Sequence, residues 1–382
     1  MTEAQYLIDL LKAAIAGKNI EEKESVDMEA VFSLAKAHDV ANIACYALDG
    51  LQEKPKNYSN FQKSRDMAVL KDVRQGYEIT RIFEEFNKNN IDFMPLKGYR
   101  MKKLYPSSDM RTMADIDILI KDSADFNMIK KIMREGGYSL RAEKNGEVDY
   151  LKPPVMNVEI SDSLLAEVQK KWEWYFDDYW KKAIKDKLSE YKQSDEDYFI
   201  YHIVHLSKHY SMYGTGIRPF LDIYIFLKEK NNLDWTYING ELENLGLEEF
   251  CKNCIELSNY WFSGGKENSL TKKMAEYVIE SGVYGTLENK LATRSINNGK
   301  VDNTGIAYIK RYFFGVFPSY RTMTNLYLNL KKYPFLLPYY WVCRWIRKIK
   351  YRDEIKDFVE FGRNIDYEKA KNHNEHMKSV GL

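Results

Sequence analysis

The chain of 382 residues has little cysteine, almost no net charge and no long apolar run. Cys45, Cys251, Cys254 and Cys343 are too few and too scattered for a disulfide framework, which suits a reducing compartment. Cys251 and Cys254 form a C-x-x-C, but no second pair or nearby histidine follows, and their helical setting reads as core. A net charge of +1 provides no global attraction toward nucleic acid. The start, Met1-Thr2-Glu3-Ala4, has neither a basic stretch nor an apolar core, so no signal peptide is expected and a cytoplasmic location is. The most apolar segment, around Phe335, is too short and too interrupted by proline and arginine to span a bilayer. It leaves open a contact with a membrane surface or packing against the rest of the chain. No internal repeat or low-complexity tract is visible.

What is present is a soluble globular balance, 45% apolar and 30% charged, on a chain long enough for more than one core. Its sharpest chemical signal is Ala114-Asp115-Ile116-Asp117-Ile118-Leu119-Ile120. The alternation predicts a strand with Ile116, Ile118 and Ile120 on one face and Asp115, Asp117 and Leu119 on the other. Two carboxylates on one strand face repel each other. A divalent cation relieves that repulsion. Mg²⁺ takes carboxylate oxygens, keeps several waters and is shared with substrate phosphates, so the pair points to phosphoryl or nucleotidyl transfer with Mg²⁺ or Mn²⁺.

Upstream, Ile91 to Met94 predicts a short strand, and Met101, Leu104 and Tyr105 have helical spacing. Gly98 is placed at the turn between them, where a phosphate can approach the backbone, and Lys97 adds a positive charge. Downstream, Tyr138 to Glu143 and Glu147 to Leu151 flank Asn145-Gly146, a hairpin signal, and Val155 to Ile160 predicts a further strand bearing Glu159. Glu159 is a candidate third carboxylate, able to bind metal or accept a proton. Its alternative is a solvated position on an edge strand.

This layout resembles the DNA polymerase beta-type nucleotidyltransferase superfamily. It resembles more closely a bacterial uncharacterised nucleotidyltransferase family, in which LKG, a tyrosine, an arginine and DIDLLV follow in order. Leu96-Lys97-Gly98, Tyr105, Arg111 and Asp115 to Ile120 match. The superfamily's Gly-Gly or Gly-Ser is Gly98-Tyr99 here, and the gap from Gly98 to Asp115 is longer than usual. Where the family often carries Asp-Leu-His, this chain has Glu159-Ile160-Ser161. A second block, H-x-x-K-H, a glycine-rich turn and R-x-x-x-D, is matched by His205, Lys208, His209, Gly214, Gly216, Arg218 and Asp222. The likeness runs over nearly the whole chain, including a Phe-Pro and a Leu-Leu-Pro near the end.

The resemblance implies transfer of a nucleoside monophosphate from ATP or another nucleoside triphosphate to an acceptor hydroxyl, with release of pyrophosphate. Asp115, Asp117 and Glu159 would hold the metal. Lys97, Gly98 and Arg111 would meet phosphates. Lys208 or Arg218 would meet triphosphate while His205, His209 or Asp222 orients the acceptor. The bland alternative makes Arg218 and Asp222 an i, i+4 ion pair. The acceptor is a small molecule or a protein. A catalytically silent, nucleotide- or protein-binding member of the same fold is the competing reading.

The rest of the chain reads as helix. Residues 1–90 predict a helical cap whose long last helix turns Met67, Leu70, Val73, Tyr77, Ile82 and Phe86 inward. His38, a single histidine among helical residues, reads as structural. The cluster Trp172 to Trp180 reads as packing, with base stacking as the sharper alternative. The expectation is an α+β fold: a small mixed sheet of nucleotidyltransferase type at 91–190, between a helical cap at 1–90 and a helical domain at 191–382.

Overall fold

The computed structural model describes residues 2–18, 20, 26–121, 125–144, 146–154, 156–164, 170–177, 179–212, 214–283, 317, 320, 323–324, 327, 329–349 and 367–382. The chain divides into one unit of Met1–Thr286 with His376–Leu382 and a second of Leu287–Glu375.

The first unit begins with α1 (Glu3–Ala16), α2 (Met28–Ala37), α3 (Ala41–Leu48) and the 31-residue α4 (Tyr58–Lys88). Local chemistry sets the ends. The Thr2 side chain accepts from the Gln5 amide at the start of α1, and the Asp27 carboxylate caps α2 by accepting from the amides of Glu29 and Ala30. A mixed seven-stranded sheet follows, built from β1 (Phe93–Pro95), β2 (Asp115–Ile120), β3 (Ser139–Lys144), β4 (Glu147–Lys152), β5 (Met156–Ser161), β6 (Ile184–Lys187) and β7 (Glu190–Lys192). The strand order is β3-β4-β5-β2-β1-β7-β6, with β2 parallel to β5 and β1 parallel to β7. The sheet is thus embedded in helices on both sides in sequence, as the α+β expectation required. Gly146 closes the β3–β4 hairpin with φ 74°, while Asn145 lies outside the described residues.

Short α5 (Gly98–Met101) leaves β1, α6 (Phe126–Glu135) follows β2, and α7 (Glu173–Phe176) precedes β6. Then come α8 (Asp195–Met212), α9 (Arg218–Glu229), α10 (Trp235–Leu245), α11 (Glu248–Phe262) and α12 (Ser269–Ser281). The sheet separates two cores. Ile116, Ile118 and Ile120 join Val158, Ile160, the C-terminal half of α4 and α6 on one face. Leu119, Met94 and Leu96 join the helical core on the other, together with Trp172, Phe176 and Tyr179. Those aromatics therefore serve packing, and the Trp172 indole donates to the Leu245 carbonyl at 2.9 Å. Cys251 and Cys254 are buried on α11 in the same core. Helix Leu337–Ile349 belongs to the second unit, where Phe335 and Tyr339 are largely exposed. No described helix is long and apolar enough to cross a membrane. The segment 289–304 lies outside the described residues.

The face of α4 differs from the one its apolar residues suggest. Met67, Leu70, Val73 and Tyr77 are exposed, and the buried stripe is Phe61, Ala68, Gln75, Glu78, Ile79, Ile82, Phe83 and Phe86. Two polar residues lie inside that stripe because each has partners. Gln75 Nε2 donates to the Met113 carbonyl at 3.2 Å, and Glu78 accepts from Tyr138 at 3.2 Å and pairs with Lys152. Leu70→Ser should therefore change stability by less than about 0.5 kcal/mol. Ile82→Ala, on the buried stripe, should cost roughly 2–5 kcal/mol in denaturant unfolding. Equal costs for the two would contradict this orientation.

Candidate active site

Strand β2 carries its carboxylates on the face opposite Ile116, Ile118 and Ile120. Parallel pairing sets Asp115 beside Asn157 and Asp117 beside Glu159. Antiparallel pairing of β4 with β5 then sets Asp149 on the other side of Glu159. A row of three carboxylates thus crosses three neighbouring strands. Ligand oxygens of Glu147, Asp149 and Glu159 can lie within 4.8 Å of one another. The sequence reading missed Glu147 and Asp149. Their signal was the alternation with Val148 and Tyr150, both of which are buried on the opposite face.

Burial, then Asp117 and Asp115, push the Glu159 carboxyl up to about 7, against the opposing effect of Lys97. Asp117 itself is buried, and Lys97 Nζ lies 3.0 Å from its Oδ1. The sequence alone suggested an unbalanced acidic pair; the fold places a lysine against it. Lys97 caps α5 with φ 44° and ψ −120°, and its carbonyl accepts from the Tyr198 hydroxyl at 2.9 Å. Gly98 is the first residue of that four-residue helix and has an ordinary negative φ. Its lack of a side chain serves space: a Cβ there would stand 3.2 Å from Met113 Cγ and Sδ.

The facing wall comes from α8, α9 and the loop before β2. The i, i+4 pair of Arg218 with Asp222, one of the two readings of this segment, gives way to two longer connections. Asp222 accepts from Arg111 Nε at 2.9 and 3.1 Å and from the Tyr105 hydroxyl at 2.7 Å. Burial raises the Asp222 pKa, but the Arg111 charge and these hydrogen bonds outweigh it and hold the carboxylate below its ordinary range. Arg218 pairs with Asp39 at 2.5 Å and donates to Thr112 Oγ1 at 3.2 Å. The rings of His205 and His209 lie with centroids 4.5 Å apart and planes tilted by 58°. Burial, followed by the charge of Lys97, lowers the pKa of His205 well below the histidine norm, so the ring is neutral. Behind this wall, His38 accepts from the Ile217 amide at 3.3 Å and bonds the Ile279 carbonyl at 3.2 Å. Burial lowers it to about 4, which fits a structural, neutral imidazole.

All the residues singled out from the sequence line one cavity of about 420 Å³: Asp115, Asp117, Glu159, Lys97, Gly98, Arg111, Lys208, Arg218, His205, His209 and Asp222. His202, which shares a helix face with His205 and His209 at i, i+3 and i+7 spacing, lines it as well, as do Tyr198 and Tyr201, which were not foreseen as site residues. Asp115, Asp117 and Glu159 with Lys97 occupy one wall, and Arg111, Arg218, Lys208 and the histidines, with Asp222, another. Such a cavity can hold a polyanion between a cation bound to the acids and fixed positive charge opposite.

A family model described as uncharacterised nucleotidyltransferase matches residues 24–263. The likeness noted in the aromatic C-terminal segment falls outside that match. No curated protein and no solved structure matches the chain.

The raised Glu159 pKa has a consequence for stability. Unfolding returns this carboxyl to its ordinary 4.5, from about 7 in the folded chain. Folded protein therefore keeps a proton that unfolded protein has released across that window. Metal-free stability should fall as pH rises from about 4.5 to about 7 through this group. Thermal unfolding of Glu159→Gln over the same pH range should show a flatter slope than wild type; an identical slope would refute the shift.

Proposed function

The chain belongs to the uncharacterised nucleotidyltransferase family, and we propose that it moves a nucleoside monophosphate from a nucleoside triphosphate to an acceptor hydroxyl, with Mg²⁺ or Mn²⁺. The supporting observation is the in-register neighbourhood of Asp117 and Glu159 across a cavity from Arg111, Lys208 and Arg218. The donor set suits the ion. Asp115, Asp117 and Glu159 offer only carboxylate oxygens, which hard divalent cations prefer, and Asp117 already holds a cationic group, the Lys97 ammonium. Asp115, Asp117 and Glu159 would hold the ion, which when bound neutralises phosphate charge and polarises the reacting phosphoryl group.

The protein groups divide the remaining work. Arg111, fixed by Asp222, and Arg218, fixed by Asp39, supply positive charge that needs no reorganisation when the triphosphate arrives. Lys97 and Lys208 add charge on longer stems. The acceptor oxygen forms a bond to the α-phosphorus, and the bond from that phosphorus to the bridging oxygen of pyrophosphate breaks. The hydroxyl proton passes to a Glu159 carboxylate oxygen that the ion leaves unengaged, beside Asp117 in the sheet. His205 and His209, on the facing wall, orient the acceptor. The acceptor is a small alcohol, a sugar or a protein side chain. A cytoplasmic setting, where triphosphates are abundant, accords with this reading.

One observation favours a second reading. The Lys97–Asp117 pair neutralises a carboxylate the reaction needs, as a silent nucleotide- or protein-binding member would have it. Metal-dependent turnover of a triphosphate separates the two, and thermal shift tests whether metal and triphosphate bind together at all. Mg²⁺ with a triphosphate at a hundred times Kd should stabilise the protein by about 2.7 kcal/mol, and either alone by much less. Asp115→Asn with Asp117→Asn should abolish the joint shift. No joint shift with any common ribo- or deoxyribonucleoside triphosphate would sink the enzyme reading.

Glu159→Gln tests the base directly. With the fold intact, turnover should drop about 100-fold or more while triphosphate binding persists. Near wild-type turnover in that variant would return Glu159 to a passive strand position.

A further inference from the structure

The residue with the least ordinary backbone in the cavity is Lys97. Its φ of 44° is a conformation that residues with a Cβ adopt at a cost, and the next residue, Gly98, does not share it. Several bonds hold it there. The Lys97 carbonyl accepts from Tyr198 at 2.9 Å and from the amides of Arg100 and Met101 at 3.2 Å. The neighbouring Leu96 amide donates to the Asp117 carbonyl at 3.0 Å, tying the two strands together beside the pair. This arrangement sets Lys97 Nζ 3.0 Å from Asp117 Oδ1, both side chains mostly shielded from water.

A divalent ion on Asp117 would sit at roughly 2.0–2.1 Å from a carboxylate oxygen. The ammonium and the ion would then be near neighbours, and their repulsion in a shielded site is strong. Lys97 therefore has to leave Asp117 when a metal arrives. A triphosphate brings a new anionic group for the ammonium to meet; a metal ion alone brings only further positive charge.

We propose that Lys97 is an exchangeable counter-ion that holds the metal's place on Asp117 and yields it when a triphosphate enters, so that nucleotide and metal bind as a pair. This rests on the metal-dependent nucleotidyl-transfer reading. Lys97 acts here as a positioning residue: it suppresses binding of metal in the absence of nucleotide, and the lysine–carboxylate pair is a resting state of an active site. Coupling of this kind is reciprocal, so nucleotide affinity rises with metal as metal affinity rises with nucleotide.

The experiment measures Mn²⁺ binding to the full chain by paramagnetic resonance of the free ion, without nucleotide. Lys97→Met and Lys97→Gln should each bind Mn²⁺ about ten-fold more tightly than wild type. Adding Asp117→Asn to either should remove that gain. A merely structural lysine would leave metal affinity unchanged or weaken it, and that result overturns the proposal. Should both variants unfold, acylation of Lys97 in wild type, followed by mass spectrometry, decides the matter: saturating Mn²⁺ should speed it, and no change overturns the proposal. Wild type that binds Mn²⁺ together with a triphosphate, but gains nothing on loss of Lys97, defeats this proposal alone. Absence of Mn²⁺ binding in every protein, with and without triphosphate, defeats the metal-dependent reading as well.

Discussion

When β2 and β5 pair in parallel and in register, Asp117 must lie beside Glu159 and Ile118 beside Ile160. One set of backbone hydrogen bonds thus fixes both faces. The isoleucine face is buried against α4 and α6, and burial of each such side chain is worth about 1.5–3 kcal/mol. A slip by one residue would turn the isoleucines toward the cavity and the carboxylates into the core. The apolar face therefore pins the register that brings the acids together, and the repulsion among the acids is tolerated because the core outweighs it. Glu159 registers that compromise through its raised pKa.

The opposite wall solves a different problem, which is to keep cations in a shielded place. Arg111 and Asp222 form a pair almost wholly out of solvent, with Tyr105 as a third member. Breaking such a buried pair from one side costs roughly 3–5 kcal/mol, since the remaining charge is left without a partner. Arg111 is thereby a fixed charge. Tyr105 belongs to the segment after α5, Arg111 to the loop before β2, and Asp222 to α9, so the same contact fastens the helical part of the unit to the sheet. Gln75 on α4 adds a tether by donating to the carbonyl of Met113, two residues before Asp115. Helix α4 is therefore more than a cover: its polar interior positions help place the loop that leads into the acidic strand.

What the sequence disclosed followed the range of each interaction. The alternation of Asp115 to Ile120 is local, and strand, faces and the carboxylate pair could all be read from it. So could the hairpin around Gly146. Ile82 and Phe86 are buried as the periodicity required, but the earlier part of the α4 stripe was misread because it was traced through the apolar Met67, Leu70, Val73 and Tyr77. The buried face instead recruits Gln75 and Glu78, whose partners lie in distant segments. Arg218 and Asp222 looked like an ion pair because they stand one helical turn apart. Their actual partners, Asp39 and Arg111, are 179 and 111 residues away. No spacing rule reaches that far. Asp149 went unnoticed although its strand was recognised, because only the pairing of β4 with β5 shows that it adjoins Glu159.

The Lys97-Gly98 step shows the difference between reading a residue type and reading its task. A glycine at a strand-to-helix turn suggests backbone freedom, yet the positive φ falls on the lysine before it. Gly98 is needed for volume, with Met113 packed where a side chain would go. The strain at Lys97, of order 1–3 kcal/mol, is offset by the hydrogen bonds on its carbonyl and by the ion pair at its tip. A glycine at 97 would relieve the strain and lose the ammonium; a side chain at 98 would make the Met113 side chain give way by a few tenths of an ångström. Strained backbone and ion pair therefore meet in one residue: the side chain at 97 carries its positive charge to Asp117 from a backbone conformation that residues with a Cβ adopt at a cost.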